Sequence, residues 1–101
     1  METLTRLSPT EYLILDLLQD RESFGLELVE RSKGTLRRGT VYVTLARMQD
    51  KGYVTSRTEA LPQGAIGLPR RLYRPTAYGV AVFKVWSRAE RALARLRPQE
   101  A

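Results

Sequence analysis

The sequence predicts a mainly α-helical fold with one small β-hairpin, in the order helix, helix, helix, strand, strand, helix. Apolar residues recur at helical spacing in four segments of the chain. A run rich in β-forming residues follows the third segment, and a loop with two glycines and two prolines separates it from a second short run. A chain of 101 residues with 43% hydrophobic residues is large enough to bury a modest core of its own.

The first helix is predicted to start at Ser8. Its side chain can cap a free amide of the first turn, Pro9 suits the first helical position, and Glu11 can reach back to complete a capping box. Apolar residues at positions 12–18 fall on more than one helical face, so we expect this helix in the centre of the core. A second, shorter helix is predicted to open at Ser23-Phe24-Gly25.

The third helix is expected to run from about Gly39 to Gly52. Val41, Leu45 and Met48 follow one another at spacings of four and three, which places them on one face. The other faces carry hydroxyls, an aromatic ring and basic side chains. A helix divided in this way can be buried on one side and contact a nucleic acid with the other.

Two strands are predicted after the third helix, at residues 53–58 and 70–74, with a loop over residues 59–69 between them. Three helices followed by a hairpin with a basic stem predict a winged helix-turn-helix. In such domains the third helix enters the major groove of DNA, and the hairpin, or wing, contacts the backbone or the minor groove.

The last helix is predicted to start after the N-cap residue Thr76 and to end at about Arg97. Its apolar stripe has steps of four, three, four and three, which is the spacing of a coiled-coil seam, although only about two heptads are present. We interpret this stripe as a dimerisation seam. Its residues are Val82, Trp86, Ala89, Leu93 and Leu96.

These elements predict the organisation of the chain. We expect a DNA-binding domain over residues 8–76, a dimerisation helix over residues 77–97, and flexible ends at residues 1–7 and 98–101. No apolar run approaches the ~20 residues that a membrane-spanning helix needs, and the N-terminus lacks the core of a signal peptide. We therefore expect a cytoplasmic protein that does not contact a membrane.

The excess positive charge is confined to the middle of the sequence. Residues 33–75 contain nine basic and two acidic residues, a difference of +7, whereas the rest of the chain contains eight basic and nine acidic residues, a difference of −1. Confinement of the net charge of +6 to one segment favours a nucleic acid as partner over a generic solvated surface.

The composition argues against enzymatic and metal sites. The sequence contains no cysteine and no histidine, which excludes disulfides, thiolate and imidazole metal ligands, and Ser–His or Cys–His catalysis. No glycine-rich phosphate loop is present. We expect neither an enzyme nor a cofactor.

Nine residues of the third helix and the wing are candidate DNA contacts. Arg37 and Arg38 lie at a helix N-terminus, where two guanidiniums suit a phosphate, although a solvated turn is the alternative. Tyr42 either contacts DNA or packs under the hairpin. Neighbouring strand residues point to opposite faces, so we expect only one residue of the wing pair to meet DNA directly. The nine candidates are Arg37, Arg38, Thr40, Tyr42, Thr44, Arg47, Lys51, Arg70 and Arg71.

Two motifs of the sequence carry a family resemblance. They are G-T-V-Y-V-T-L-A-R-M-Q-D-K-G-Y-V at residues 39–54 and G-L-P-R-R-L-Y-R-P-T-A-Y-G at residues 67–79. The first is similar to the recognition helix, with the turn after it, of the PadR family of transcriptional regulators, and the second is similar to the wing exit of that family. The runs E-Y-L-I-L-D-L-L and F-G-L-E-L-V-E match its first two helices, so the resemblance covers residues 8–97. The sequence departs from the family pattern at three places. Val43 stands where proline is usual, Arg37-Arg38 where Ser-Pro is usual, and Phe24 where histidine is usual.

The resemblance implies a transcriptional regulator, and we expect a repressor that binds a palindromic operator as a homodimer. It also implies that aromatic residues of the last helix, here Trp86, line a pocket for a flat aromatic effector at the dimer interface. A tryptophan that only fills the dimer seam is the alternative. The alternative function is a winged helix whose basic face binds an acidic protein partner.

Overall fold

The computed structural model describes residues 6–61, 63–64, 67 and 69–96. The predicted flexible ends lie outside these residues, except for Arg6 and Leu7. The fold is mainly helical with a small antiparallel sheet, which confirms the predicted fold class. The elements are α1 (Pro9–Asp20), β1 (Ser23–Phe24), α2 (Gly25–Arg31), α3 (Arg38–Asp50), β2 (Val54–Glu59), β3 (Arg70–Pro75) and α4 (Ala77–Arg95).

Helix α1 starts as its sequence predicts. Ser8 Oγ accepts a hydrogen bond from the Glu11 amide at 3.1 Å, and the Ser8 amide donates to Glu11 Oε1 at 2.9 Å. These two bonds form the capping box. Ile14 and Leu15 are fully buried, and α1 contacts α2, α3, α4 and β3, so its central position in the core is confirmed.

Helix α2 begins two residues later than predicted. Ser23 and Phe24 form β1, which pairs antiparallel with β3 so that Ser23 lies opposite Tyr73. The helix starts at Gly25, and Glu27 Oε1 accepts a hydrogen bond from the Phe24 amide at 3.0 Å. The predicted helical start is wrong because a strand of two residues has no periodicity of its own and forms only through a distant partner strand.

The sheet has the strand order β1-β3-β2, so β3 is its central strand. β2 and β3 pair from Val54 opposite Pro75 to Glu59 opposite Arg70, and this hairpin is the predicted wing. Four residues of the predicted loop, at positions 62, 65, 66 and 68, lie outside the described residues.

The apolar stripe of α3 is buried as predicted. Val41, Leu45 and Met48 are inaccessible to solvent and belong to one core with Ile14 and Leu15 of α1. Because this stripe occupies one side of α3, the opposite side is turned to solvent. The core therefore sets which side chains of α3 are displayed.

The first turn of α4 is tied to the segment between α3 and β2. Thr76 Oγ1 accepts a hydrogen bond from the Gly79 amide at 2.9 Å, which confirms the predicted N-cap, and it donates to the Gly52 carbonyl. Gly79 lies so close to the backbone of Tyr53 that a Cβ at this position would overlap the Tyr53 carbonyl oxygen. A side chain at position 79 would force the helix away from Tyr53.

The predicted dimerisation seam needs a correction. Val82 is only 8% exposed and packs in the core of its own chain, so it is not available to a partner. By contrast, Leu93 and Leu96 are 67% and 75% exposed. The spacing of the stripe was sufficient to place these residues on one face, but only the tertiary contacts show where that face leaves the core. Helix α4 ends at Arg95, and the predicted end at Arg97 lies outside the described residues.

Candidate nucleic-acid interface

The N-terminus of α3 carries an exposed pair of guanidinium groups. Arg37 is the N-cap residue and Arg38 the first helical residue, and both are exposed. The first turn of α3 contains no acidic residue, and the Arg37 side chain forms no cap hydrogen bond. Neither group therefore competes with a ligand for the positive end of the helix. Free amides, the helix dipole and two arginines therefore converge on one place, which is the arrangement that binds phosphate.

The middle of α3 displays a mixed surface to solvent. Thr40, Val43 and Arg47 are exposed and point away from the buried stripe. An arginine, a hydroxyl and an apolar side chain on one exposed helix face can contact base edges and phosphates. The candidate contacts Thr40 and Arg47 are therefore placed where the sequence predicts them.

Tyr42 packs against α2 and is partly exposed. Its ring packs against Gly25 at the start of α2, and a Cβ on Gly25 would overlap the ring. This contact is with α2. Tyr42 also lies near the hairpin, because burial raises the pKa of Tyr73 on β3 and the Tyr42 hydroxyl adds to that effect. The side chain nevertheless remains 47% exposed on the outer side of α3. Tyr42 is thus oriented by α2 and still accessible to a ligand.

Thr44 is misassigned as a DNA contact. It is only 9% exposed, and its Oγ1 donates a hydrogen bond to the Thr40 carbonyl at 3.0 Å. Residue 44 lies beside Leu45 at the edge of the buried stripe, and a threonine inside a helix commonly bonds the carbonyl four residues earlier. Its hydroxyl is therefore directed to the helix backbone.

Lys51 is exposed at the end of α3 and binds α1. Its Nζ lies 2.8 Å from Glu11 Oε2, and the Glu11 side chain is almost completely buried. Burial by itself raises the pKa of Glu11, but hydrogen bonds from Lys51 and Ser8 outweigh this effect, and the pKa lies below its usual value. The ion pair connects the start of α1 to the end of α3.

The two wing arginines point to opposite faces of the sheet, as strand geometry requires. The guanidinium carbon of Arg70 lies 4.7 Å from the centre of the Phe24 ring on β1. Arg71 lies on the other face, where its Nη1 donates to Ser56 Oγ at 3.1 Å. The side of the sheet that adjoins α3 therefore presents Arg71.

Two polar residues that the sequence did not single out connect α3 to the wing. Ser56 Oγ on β2 donates to Gln49 Oε1 on α3 at 3.2 Å, and the same oxygen accepts the hydrogen bond from Arg71. A single serine and a single glutamine on an exposed surface do not form a sequence motif that would mark them as partners. Only the approach of β2 to the end of α3 brings them together.

A groove separates the N-terminal end of α1 from α4. Its volume is about 370 Å³, and Trp86, Ala89 and Leu93 of the predicted seam line one side of it. On the other side, Tyr12 stacks on Phe83 with ring centres 5.0 Å apart. The remaining lining residues are Leu7, Ser8, Pro9 and Glu90. Trp86 is therefore partly covered within its own chain and faces this groove.

Other classes of site are not found in the described part of the chain. No group of acidic residues there is arranged to hold a metal ion. Among the same residues, no helix is long and apolar enough to cross a membrane.

The three helices, the small sheet and the exposed cationic face of α3 define a winged helix-turn-helix protein. The family model described as the transcriptional regulator PadR-like family matches residues 14–85. The chain therefore belongs to the PadR-like family, as its motifs indicate. Members of this family are transcriptional regulators and not enzymes, which confirms the expectation for this chain.

Solved structures support the fold. A PadR family transcription regulator from hypervirulent Clostridium difficile is 23% identical, with a TM-score of 0.72 over 84% of this chain and 90% of that one. A PadR-like transcription factor from Bacteroides fragilis is 20% identical, with a TM-score of 0.74 over 86% and 84%. Bacillus subtilis PadR, solved in complex with operator DNA, is 21% identical, with a TM-score of 0.71 over 96% of this chain and 51% of that one. No curated protein matches the chain significantly.

Proposed function

We propose that this protein is a cytoplasmic repressor that binds a palindromic operator as a homodimer. The observation that carries the proposal is the exposed cationic face of α3, which stands beside a basic wing on a scaffold that buries the apolar side of the same helix. Family membership supports the regulatory role, and the Bacillus subtilis PadR complex with operator DNA supports the type of ligand.

Helix α3 enters the major groove in the proposed complex. Arg38 binds phosphate at the helix N-terminus together with Arg37, and Arg47 reaches a base edge, where guanine offers two acceptors to a guanidinium. Thr40 and Tyr42 contact phosphates from the same exposed face, and Arg71 of the wing neutralises the backbone beside the groove. Base contacts supply specificity, and the cations supply most of the affinity.

The exposed end of α4 supplies the dimer contact in this proposal. Leu93 and Leu96 are large apolar residues that the chain leaves in solvent, and Trp86 and Ala89 extend their surface toward α1. Burial of such a patch against a second copy removes it from water. A dimer with two-fold symmetry sets two copies of α3 about one DNA turn apart, as a palindromic site requires.

The groove beside Trp86 is the proposed effector site. A flat aromatic molecule fits its chemistry, because Trp86 and Tyr12 supply rings and most of the lining is apolar. Titration of a panel of planar aromatic compounds against the fluorescence of Trp86, the only tryptophan, tests this assignment. Fluorescence that stays unchanged across the panel would contradict it.

Selection of binding sites from random duplexes tests the DNA-binding proposal directly. We expect recovery of a palindromic site that is bound more tightly than random DNA at physiological salt. The variant Arg47→Glu should lose this site. The matched control is Arg88→Glu, which makes the same charge change at an exposed position of α4 and should retain operator binding.

Two results would contradict the proposal. Equal binding to all duplexes, or no binding at all, would favour the alternative in which the basic face meets an acidic protein. Normal operator binding by Arg47→Glu would show that α3 is not the helix that reads the bases.

A further inference from the structure

We infer that Gln49 and Ser56 are positioning residues that hold Arg71 of the wing in place for the DNA backbone. The inference rests on the proposed function and adds to it two residues that do not themselves need to touch DNA. Its basis is the continuous hydrogen-bonded connection from α3 through β2 to β3.

The hydrogen bonds of this connection are mutually consistent. Gln49 Oε1 can only accept, so the Ser56 hydroxyl must donate its single proton to it over 3.2 Å. The lone pairs of the same Ser56 oxygen are then free to accept from Arg71 Nη1 at 3.1 Å. Gln49 thereby orients the hydroxyl that Arg71 needs, and Arg71 keeps its other N–H donors for a phosphate.

The strand register explains why Arg71 is the wing cation on this face. Ser56 lies opposite Tyr73 and Thr58 opposite Arg71, so these side chains share the face that adjoins α3. The other wing arginines occupy the opposite face, where Arg57 forms an ion pair with Glu22 and Arg70 packs over Phe24. The arrangement leaves one wing cation on the side of the proposed DNA-binding helix.

Positioning matters because an arginine side chain has many rotamers. An exposed arginine loses much of this freedom when it binds a phosphate, and the loss reduces affinity. The bond to Ser56 restricts the guanidinium before DNA arrives. Because Gln49 belongs to α3, these hydrogen bonds also fix the position of Arg71 relative to the helix that enters the groove.

The test uses the duplex recovered by site selection and measures its affinity for the full chain over a range of salt concentrations. Arg71→Ala should reduce the slope of log affinity against log salt by about one, as expected for the loss of one phosphate contact. Ser56→Ala should weaken binding by about three- to tenfold, the range for one hydrogen bond. In an Arg71→Ala background the same Ser56 change should have no further effect.

Control variants separate positioning from general damage. Ser56→Thr keeps the hydroxyl and should restore binding, whereas Gln49→Ala should reproduce part of the loss. Thr55→Ala removes a hydroxyl from the other face of the same strand and should leave binding unchanged. Thermal unfolding of all five single variants should be close to that of the unmodified protein, because the connection is solvent-exposed.

The outcomes distinguish this inference from the proposed function. If Ser56→Ala binds as well as the unmodified protein while Arg71→Ala is weakened, Arg71 contacts DNA without being positioned, and the inference is wrong. Additive losses in the double variant would overturn it as well, as would normal binding by Arg71→Ala. Failure of the unmodified protein to select any duplex would instead refute the proposed function.

Discussion

Helices α3 and α4 are both amphipathic, but their apolar stripes are buried to different extents. The stripe of α3, Val41, Leu45 and Met48, is completely covered by the core of the same chain. The stripe of α4 is buried at Val82 and partly covered at Trp86, whereas Leu93 and Leu96 remain in solvent. The same periodic pattern therefore serves folding in one helix and leaves a surface available for association in the other.

This difference separates the roles of the two helices. Because the apolar side of α3 is buried within its own chain, its polar side can be varied without loss of the fold. The outer half of α4 contributes little to the stability of one chain, so its sequence is free to specify the second copy in the proposed dimer. Substitutions that contrast the two stripes test this division.

The largest effect is expected from Leu45→Ala in α3. Removal of a fully buried leucine side chain should lower the free energy of unfolding by about 2–5 kcal/mol, because transfer and cavity terms add. Urea unfolding followed by circular dichroism measures the change. A loss below that range would mean that the α3 stripe is less tightly packed than its burial indicates.

Gly79→Ala should have the next largest effect. The added methyl group would overlap the Tyr53 carbonyl, and relief of the overlap should cost about 1–3 kcal/mol of stability. Gly39→Ala is the matched control, since a Cβ at that exposed helical position meets no atom within 4 Å. Equal unfolding midpoints for the two variants would show that α4 is not held closely against Tyr53.

A smaller effect is expected from acidification, through the ion pair of Glu11 and Lys51. The pKa of Glu11 is lowered in the folded protein, so its contribution to stability is present above the pKa of the unfolded chain. That contribution is lost as the pH falls through the lowered pKa. Glu11→Gln should therefore flatten the decline of stability in acid, measured by thermal unfolding at several pH values. A decline of unchanged steepness would assign it to other carboxylates.

The smallest effect on folding is expected from Leu93→Ala, the same substitution placed on the α4 stripe. At concentrations where the protein is monomeric, the free energy of unfolding should change by less than about 0.5 kcal/mol, because the side chain is exposed. Sedimentation at higher concentration should show a shift toward monomers. A dimer of unchanged affinity would place the proposed interface elsewhere.

The sequence predicted those parts of the fold whose signals are local. The capping box of Ser8 and Glu11, the N-cap Thr76 and the buried stripe of α3 depend on residues close together in the chain, and the structure confirms them. Strand β1 was not predictable in this way, because Ser23 and Phe24 form it only against β3. The extent to which the α4 stripe is buried depends likewise on contacts with distant elements.

The candidate site was predictable to the same degree. Arg47 is exposed on α3 because helical periodicity places it away from the buried stripe, and Arg38 is exposed because it lies in the first turn of the helix. Thr44 and Lys51 lie on the same helix but make a backbone hydrogen bond and an ion pair with α1, respectively, which composition does not reveal. The connection of Gln49 and Ser56 joins two elements through ordinary polar residues, and no spacing in the sequence marks it.

The close approach of Gly79 to Tyr53 has a mechanical consequence. A helix of the length of α4 extends ~28 Å, so a rotation of about 5° at its attachment moves the far end by roughly 2.5 Å. Gly79 lies near the attached end of α4, and Leu93 and Leu96 lie near its far end. In the proposed dimer, the close contact that glycine permits at position 79 therefore sets the distance between the two DNA half-sites.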